Sequence, residues 1–229
     1  MTETGRLLAS GRDGDIFEYG PGLVLRRARG GRVIEREARV MEYAARHGYP
    51  VPRVEDVLAG GTEIVMERLD GPMMMNVMAS RPWTLAQHAE LLADLHDQLH
   101  LIPAPDWLAQ LHADSDRLVH LDLHPLNVVM TAHGPVVIDW TNAAGGDPLL
   151  DVALTYTLLT CARVPLPPVA RLLVQPVRVM IARVFTRRYR GPDLDAHIVE
   201  AAEMKALDPN VFPDEIERCR RLAARRRSR

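Results

Sequence analysis

The chain has 229 residues, of which 47% are hydrophobic and 25% are charged, the balance of an ordinary globular protein. The formal net charge of −2 at pH 7 gives no global electrostatic reason to expect nucleic acid as a partner. The apolar stretch 169–185 contains three arginines, which argues against a membrane span there. The first residues lack the apolar core of a signal peptide, and Cys161 and Cys219 form no close motif. We therefore predict a protein of the reducing cytoplasm.

Strand patterns dominate the first 70 residues. Residues 7–28 alternate between strands and turns, and two further strands are predicted within 54–66. Between these stretches, apolar residues at helical spacing predict a helix at 32–46. Gly11 and Gly14 flank the first loop, where glycine would let backbone N–H groups approach phosphate oxygens closely. Two glycines in a hairpin can equally form a simple turn.

The later part of the chain is predominantly helical in pattern. A long amphipathic helix is predicted at 83–99, and its two histidines are expected to be hydrogen-bonded core or boundary residues. Residues 152–229 predict three or four helices, separated by proline and glycine. Asp147 is placed to cap the helix that begins near Leu149.

A predicted hairpin carries polar residues at its open end. Its strands are 128–130 and 136–138, with Gly134 in the turn. Pairing of these strands would bring Asn127, before the first, near Asp139, after the second. An amide oxygen beside a carboxylate is the kind of ligand set that Mg²⁺ accepts while it keeps waters and substrate phosphates. We therefore predict a magnesium site at Asn127 and Asp139.

The loop before this hairpin admits three interpretations. Asp122, five residues before Asn127, could accept a proton from a hydroxyl held over a metal-bound phosphate. Alternatively, His120, Asp122 and His124 alternate, so on a strand they would share one face and could ligate zinc in a hydrolase. Pro125 argues against such a strand. The third interpretation is a buried loop whose polar side chains only satisfy backbone groups.

These fragments occur together, in order. The pattern His-x-Asp-x-x-x-x-Asn at 120–127, written Asp-Leu-His-Pro-x-Asn from Asp122, is followed by Ile-Asp-Trp at 138–140. It resembles the catalytic and metal-binding segments of the bacterial aminoglycoside phosphotransferase family, also called the phosphotransferase enzyme family. The resemblance extends over about residues 7–160. It implies an α/β (α+β) protein-kinase-like fold with two lobes.

The same resemblance implies a division of the chain. Residues 1–70 would form an N-lobe with a small antiparallel sheet and one helix. Residues 71–229 would form a mainly helical C-lobe that contains the catalytic loop and hairpin, 118–140. Asp151, in the helix after the hairpin, is expected to be a structural anchor of the catalytic loop.

The resemblance also assigns nucleotide-binding residues. The loop from Gly11 to Gly14 would cover the phosphates of ATP. Arg26 stands where the family carries a phosphate-contacting lysine, and the two cations differ in shape and hydrogen bonding. Glu37 would pair with this cation, although it could instead be a solvated glutamate that pairs with arginines of its own helix.

A connector would follow the sheet. In this fold its backbone N–H and C=O groups contact the adenine edge, here at Glu67 and Leu69. Because the contacts are made by the backbone, the side chains at these two positions matter little.

The function implied is ATP-dependent transfer of the γ-phosphoryl group to a hydroxyl of a small molecule, such as an aminoglycoside, an amino-alcohol or a sugar. Asp122 would be the base, with Mg²⁺ as the metal. A catalytically weak nucleotide-binding regulator is the alternative, motivated by Arg26 and by Leu121 and Leu126, which occupy positions where the family often has glycine. Among partners we expect neither membrane nor nucleic acid, despite seven arginines in 218–229. The short helical end leaves room for a homodimer.

Overall fold

Five strands near the start of the chain form one antiparallel sheet. The computed structural model describes residues 4–11, 13–111, 116–163, 168–209 and 211–228, with only the backbone for 168–173. The strands are β1 (Leu7–Ser10), β2 (Gly14–Glu18), β3 (Leu23–Ala28), β4 (Val54–Leu58) and β5 (Glu63–Glu67). Their spatial order is β1-β2-β3-β5-β4. The predicted strands are confirmed.

The centre of the sheet is β3, which pairs with β2 on one side and β5 on the other. Four of its six residues are buried, as expected for a central strand that is covered by other elements. Helix α1 (Glu35–Arg46) follows, and its buried face contains Ala38, Met41 and Ala44 at helical spacing. The predicted helix at 32–46 is therefore confirmed, with its first turn three residues later.

A hairpin from later in the chain belongs with this sheet. Strands β7 (Val128–Thr131) and β8 (Gly134–Val137) pair antiparallel, with Val128 opposite Val137. Contacts within the chain define a first unit made of Met1–Met73 and Leu126–Ala143. The hairpin is thus grouped with the sheet, whereas the division of the sequence at residue 70 assigns it to the second part.

Backbone hydrogen bonds attach the hairpin to the rest of the first unit. The Val137 N–H donates to Pro50 O (2.8 Å), and the Met130 N–H donates to Pro72 O (2.8 Å). The fully buried Trp140 meets Tyr49 edge to face at 5.6 Å between ring centroids. These contacts fix the end of the hairpin that carries Asn127 and Asp139.

The second unit comprises Met74–Pro125 and Ala144–Arg229. Its described residues form a two-stranded sheet and six α-helices: α2 (Met74–Ser80), α3 (Leu85–Leu99), β6 (Arg117–Val119), β9 (Ala144–Gly146), α4 (Pro148–Cys161), α5 (Pro168–Phe185), α6 (Pro192–Leu207) and α7 (Pro213–Arg227). Ten of the 14 residues of α4 are buried, so this is the central helix of the unit. No helix in the described ranges is long and apolar enough to cross a membrane.

Candidate active site

Arg26 and Glu37 form a buried ion pair in the first unit. Strand β3 points Arg26 to its buried face, and α1 presents Glu37 to it; their side chains are 11% and 5% exposed. Arg27 points the other way, where it pairs with Glu63 at 2.5 Å and lies over the ring of Phe17. The structure therefore places Glu37 against Arg26 rather than in solvent.

Asp139 lies beside this pair. Its Oδ1 is 3.8 Å from Nη2 of Arg26. The backbone of Asp139 is left-handed, with φ of 64°, a conformation that costs a non-glycine residue about 1 kcal/mol or more. This conformation lies at the point where the chain leaves β8 for a short 3-10 turn that starts at Trp140.

Thr141 connects the three charged residues, and sequence reasoning missed it. Its hydroxyl oxygen is 2.9 Å from Asp139 Oδ1, 3.3 Å from Glu37 Oε2 and 3.4 Å from Arg26 Nη2. The carbonyl oxygen of the same residue accepts a hydrogen bond from Arg36 at 2.7 Å. The only signal in the sequence was its position two residues after Asp139.

The charge of Arg26 is secure in this setting. Burial alone would lower the pKa of its guanidinium, but the carboxylates of Glu37 and then Asp139 outweigh burial and raise the pKa above its ordinary value. A cation is therefore present here at every physiological pH.

Asn127 and Asp139 have the chemistry for a hard cation. They flank the paired strands at the same end of the hairpin, where the Ile138 N–H donates to Asn127 O at 3.0 Å. The side chain of Asp139 is 36% exposed, and Thr141 occupies only its Oδ1. No described residue hydrogen-bonds its Oδ2. An amide and a carboxylate with a free oxygen fit Mg²⁺, which takes few protein ligands.

The loop that carries Asp122 lies in the second unit and outside any strand. Because β6 ends at Val119, the alternation that would align three zinc ligands on one face does not occur. In the described ranges, no three His, Cys, Asp or Glu side chains are grouped as a metal site. Asp122 is 21% exposed, and its Oδ1 is 3.7 Å from Nε2 of His124.

Asp151 anchors this loop, as expected. The N–H groups of His120 and Leu121 donate to its carboxylate at 3.1 and 2.7 Å, and His100 Nε2 lies 3.0 Å from it. Leu121 is left-handed, with φ of 64°, the conformation that glycine adopts most easily. The carboxylate therefore holds the loop in a shape that its sequence does not favour.

Buried histidines surround Asp151. Burial lowers the pKa of His96 to about 4; its Nδ1 lies 2.8 Å from Leu92 O and its Nε2 lies 3.0 Å from the Thr155 hydroxyl. Burial would raise the pKa of Asp151, but hydrogen bonding by His100 and the charges of the histidines outweigh it and hold that pKa below its ordinary value. His88 Nδ1 lies 2.9 Å from Thr84 O. Both helix histidines are therefore hydrogen-bonded boundary or core residues, as predicted.

The glycine at position 14 of the Gly11–Gly14 loop is required by the packing of the strands. A Cβ on Gly14 would lie 2.5 Å from Arg27 O, so close pairing of β2 and β3 requires glycine there. The Gly11 N–H donates to Gly14 O at 2.9 Å, and Arg12 between them lies outside the described residues. The phosphate-covering role of this loop stays a prediction.

Of the two connector positions predicted to contact adenine, one has an available backbone N–H in the described structure. The Glu67 N–H is used in the sheet, where it donates to Arg53 O at 2.9 Å, and Arg68 N–H donates to Gly22 O. Within the described residues, the Leu69 N–H donates to no protein atom. The Leu69 N–H is therefore free for a ligand, and the adenine contacts at both positions stay predictions.

The sheet, the hairpin and the anchored loop together define a kinase-like α+β protein. The family model described as "Phosphotransferase enzyme family" matches residues 4–108 and 79–180, and the chain belongs to this family.

Solved structures share the fold. A thermostable mutant of aminoglycoside phosphotransferase APH(4)-Ia, in ternary complex with AMP-PNP and hygromycin B, is similar at 18% identity and a TM-score of 0.69; the match covers 97% of this chain and 93% of that one. A choline/ethanolamine kinase family protein from Mesorhizobium loti is 15% identical, with a TM-score of 0.61 over 94% and 88% of the chains. The APH(2")-IIa protein in complex with gentamicin is 16% identical, with a TM-score of 0.62 over 97% and 89%. No curated protein sequence matches the chain.

Proposed function

We propose that this phosphotransferase moves the γ-phosphoryl group of ATP to a hydroxyl of a small molecule, with Mg²⁺ as cofactor. The observation that carries this proposal is the buried Arg26–Glu37 pair beside Asp139. A cation and a metal-type carboxylate held side by side suit a polyphosphate, because phosphoryl transfer depends mainly on positioning and charge neutralisation. The complex of a similar structure with AMP-PNP supports the choice of donor.

Each residue of the proposed site has a defined task. Arg26 contacts the donor phosphates, and Glu37 keeps its guanidinium in place. Asn127 and Asp139 hold Mg²⁺, which neutralises phosphate charge when bound. Asp122 orients the acceptor hydroxyl and accepts its proton.

The alternative of a catalytically weak nucleotide-binding regulator is weakened by the backbone of the loop. Its motivation in the sequence was Arg26, together with Leu121 and Leu126, which occupy positions where the family often has glycine. Leu121 nevertheless adopts the left-handed conformation, and Asp151 holds its N–H at 2.7 Å. Leu126 is 50% exposed. The leucines therefore leave the loop able to present Asp122, and we retain the enzyme as the proposal.

The acceptor need not be a polycation. Acidic side chains on α6 and α7 could attract an aminoglycoside, but several are engaged: Glu203 pairs with Arg227, Asp214 with Arg218 and Glu217 with Arg221. These pairs leave less free negative charge than the sequence suggests. Amino-alcohols and sugars therefore belong beside aminoglycosides in any substrate screen.

The deciding experiment is a screen for acceptor-dependent ADP release. The purified protein is incubated with ATP, Mg²⁺ and panels of sugars, amino-alcohols and aminoglycosides. With the acceptor found, Asp122→Asn should lower kcat by about 10²-fold or more, the range of a positioned proton acceptor, while ATP affinity persists. Asp116→Asn, whose side chain is 80% exposed, is the matched control and should leave kcat unchanged.

Two outcomes would count against the proposal. Unchanged turnover in Asp122→Asn would remove this residue from its role. Stoichiometric zinc in the purified protein, lost on His124→Ala, would favour a metal hydrolase, whereas a kinase requires Mg²⁺ or Mn²⁺ and tolerates zinc-selective chelation.

A further inference from the structure

A cavity system lies among the helices of the second unit. Two adjoining cavities, of about 430 and 350 Å³, share the lining residues Tyr156, Val179, Arg183 and Arg226. We call them together the arginine cavity. Neither is lined by a residue of the proposed phosphotransfer site. Each has a volume within the usual range of small-molecule sites.

The side chains that line this cavity carry mostly positive charge. Its lining contains one acid, Asp195, and six arginines: Arg183, Arg190, Arg218, Arg221, Arg225 and Arg226. Arg218, Arg221 and Arg226 have acidic partners. Arg183, Arg190 and Arg225 form no ion pair with any residue in the described part of the chain. Three cations are therefore available to a ligand.

One arginine is held rigidly in the shared wall. Arg226 pairs with Asp195, donates to the Tyr156 hydroxyl at 2.7 Å and lies over the same ring at 5.1 Å from its centroid. Its side chain is only 17% exposed. An arginine fixed in this way loses little conformational freedom when it binds an anion.

Apolar side chains form another part of the lining. Val179, Leu194 and Ile198 line the larger cavity, and Leu222 lines the smaller one. A ligand that suits both kinds of surface carries negative charge on one part and an apolar group on another. Paired oxygens of phosphate or carboxylate match the planar arginine fork.

We infer that the arginine cavity binds a small organic anion, with phosphate or carboxylate groups and an apolar part. A nucleic acid suits it less well, because the cations line a cavity of limited volume rather than a continuous stripe with exposed aromatic side chains. The inference does not depend on the proposed phosphotransfer.

Calorimetric titration of the full chain in EDTA tests this inference. The probes are phenyl phosphate and inorganic phosphate, and the absence of divalent cations suppresses phosphate binding that requires Mg²⁺. Phenyl phosphate should bind with one site per chain and at least about fivefold more tightly than inorganic phosphate, because the latter has no apolar group to bury. Affinity should fall with added salt.

Matched variants locate the binding. Replacing Arg183 and Arg225 together with glutamine should weaken phenyl phosphate binding by about tenfold or more, since two free cations are lost but their stems remain. Replacing Arg187 and Arg220 with glutamine removes the same charge from exposed positions outside the cavity and should change affinity less than twofold. Arg26→Ala should leave the affinity unchanged, which separates this site from the nucleotide site.

Three results with phenyl phosphate would overturn the inference. They are no heat at millimolar probe, equal weakening in the cavity and control variants, and loss of binding only in Arg26→Ala. If the double glutamine variant fails to fold, Arg190→Gln provides the same comparison with one cation. Tighter binding of a short single-stranded oligonucleotide than of phenyl phosphate, with equal sensitivity to both pairs of substitutions, would show a charged surface instead.

Discussion

Thr141 adds a hydrogen-bonded link to the ion pairs in the cluster around Arg26. Its hydroxyl has one hydrogen but lies near two carboxylates, and the shorter contact, 2.9 Å, is to Asp139. It therefore donates mainly to Asp139 and accepts from Arg26 at 3.4 Å. This side chain ties the proposed phosphate cation to the proposed metal ligand.

Arg26 and Glu37 should act as one unit. Each single alanine substitution should lower kcat/KM by about tenfold or more, because the anchored cation is lost in both cases. The double variant should lose little more, as expected when paired residues are coupled. Arg26→Lys should keep part of the activity, since the charge survives without the bidentate fork. The measurements are kcat/KM and ATP affinity for the wild type and these four variants.

Arg27 is the internal control for this cycle. It lies on the opposite face of β3 with a side chain 43% exposed, so Arg27→Ala should leave ATP affinity unchanged. If Arg27→Ala were the damaging change and Arg26→Ala silent, the assignment of the phosphate contact would be wrong.

Gly71 is where the hairpin requires the absence of a side chain. A Cβ at this position would lie 2.2 Å from Met130 O, a backbone atom that cannot rotate away. Gly71→Ala should therefore lower the free energy of unfolding by about 1–3 kcal/mol, the range for forced overpacking. Denaturant unfolding monitored by circular dichroism measures it. Gly191→Ala, with no atom within 4 Å of the added Cβ, should change stability far less.

The pattern of neighbouring residues in the sequence predicted the strands, turns and helix caps well. Alternation within the strands, the turn at Gly134 and the cap at Asp147, which accepts from the Leu149 N–H at 2.7 Å, are encoded by neighbouring residues. Those signals also placed Asn127 and Asp139 at one end of a hairpin. Each of these features depends on a few positions close together in the chain.

Other features have no local signal. Left-handed backbone at Leu121 and Asp139 cannot be predicted from residues that normally avoid it, because the surrounding structure imposes it. The arginine cavity draws its lining from 156 to 226, and helical pattern alone does not determine which faces of four helices meet. The grouping of the hairpin with the first sheet likewise depends on contacts that are distant in sequence.

The stability of the whole protein should depend on a buried histidine. The pKa of His96 is about 4 in the folded protein and near 6.5 in the unfolded chain, so between these values only the unfolded chain binds the proton. The contribution of neutral His96 to stability is fully present above about pH 6.5. The free energy of unfolding should fall by roughly 3 kcal/mol as the pH drops to 4. The lowered pKa of Asp151 acts in the same direction at still lower pH, where its carboxylate is protonated. Urea unfolding across this pH range measures the loss.

Substitution of single histidines identifies the source. His96→Gln removes the titrating group, so its stability should be lower at pH 7 but much less dependent on pH between 6.5 and 4. His133→Gln, at an exposed position, should keep the wild-type slope. An unchanged slope in His96→Gln would assign the acid sensitivity to another group.

The first unit is built from two segments of the chain, and this has a consequence during synthesis on the ribosome. Strand β5 ends at Glu67, but the hairpin that completes the unit ends at Val137, about 70 residues later. At translation rates of about 5–20 residues per second, the hairpin is therefore completed roughly 4–14 s after the five-stranded sheet. During that interval the nascent chain exposes Tyr49 and Gly71. Trp140 and Met130 later cover these two residues. A chaperone that acts on this protein should therefore bind nascent chains arrested before residue 137 and release those arrested well beyond it.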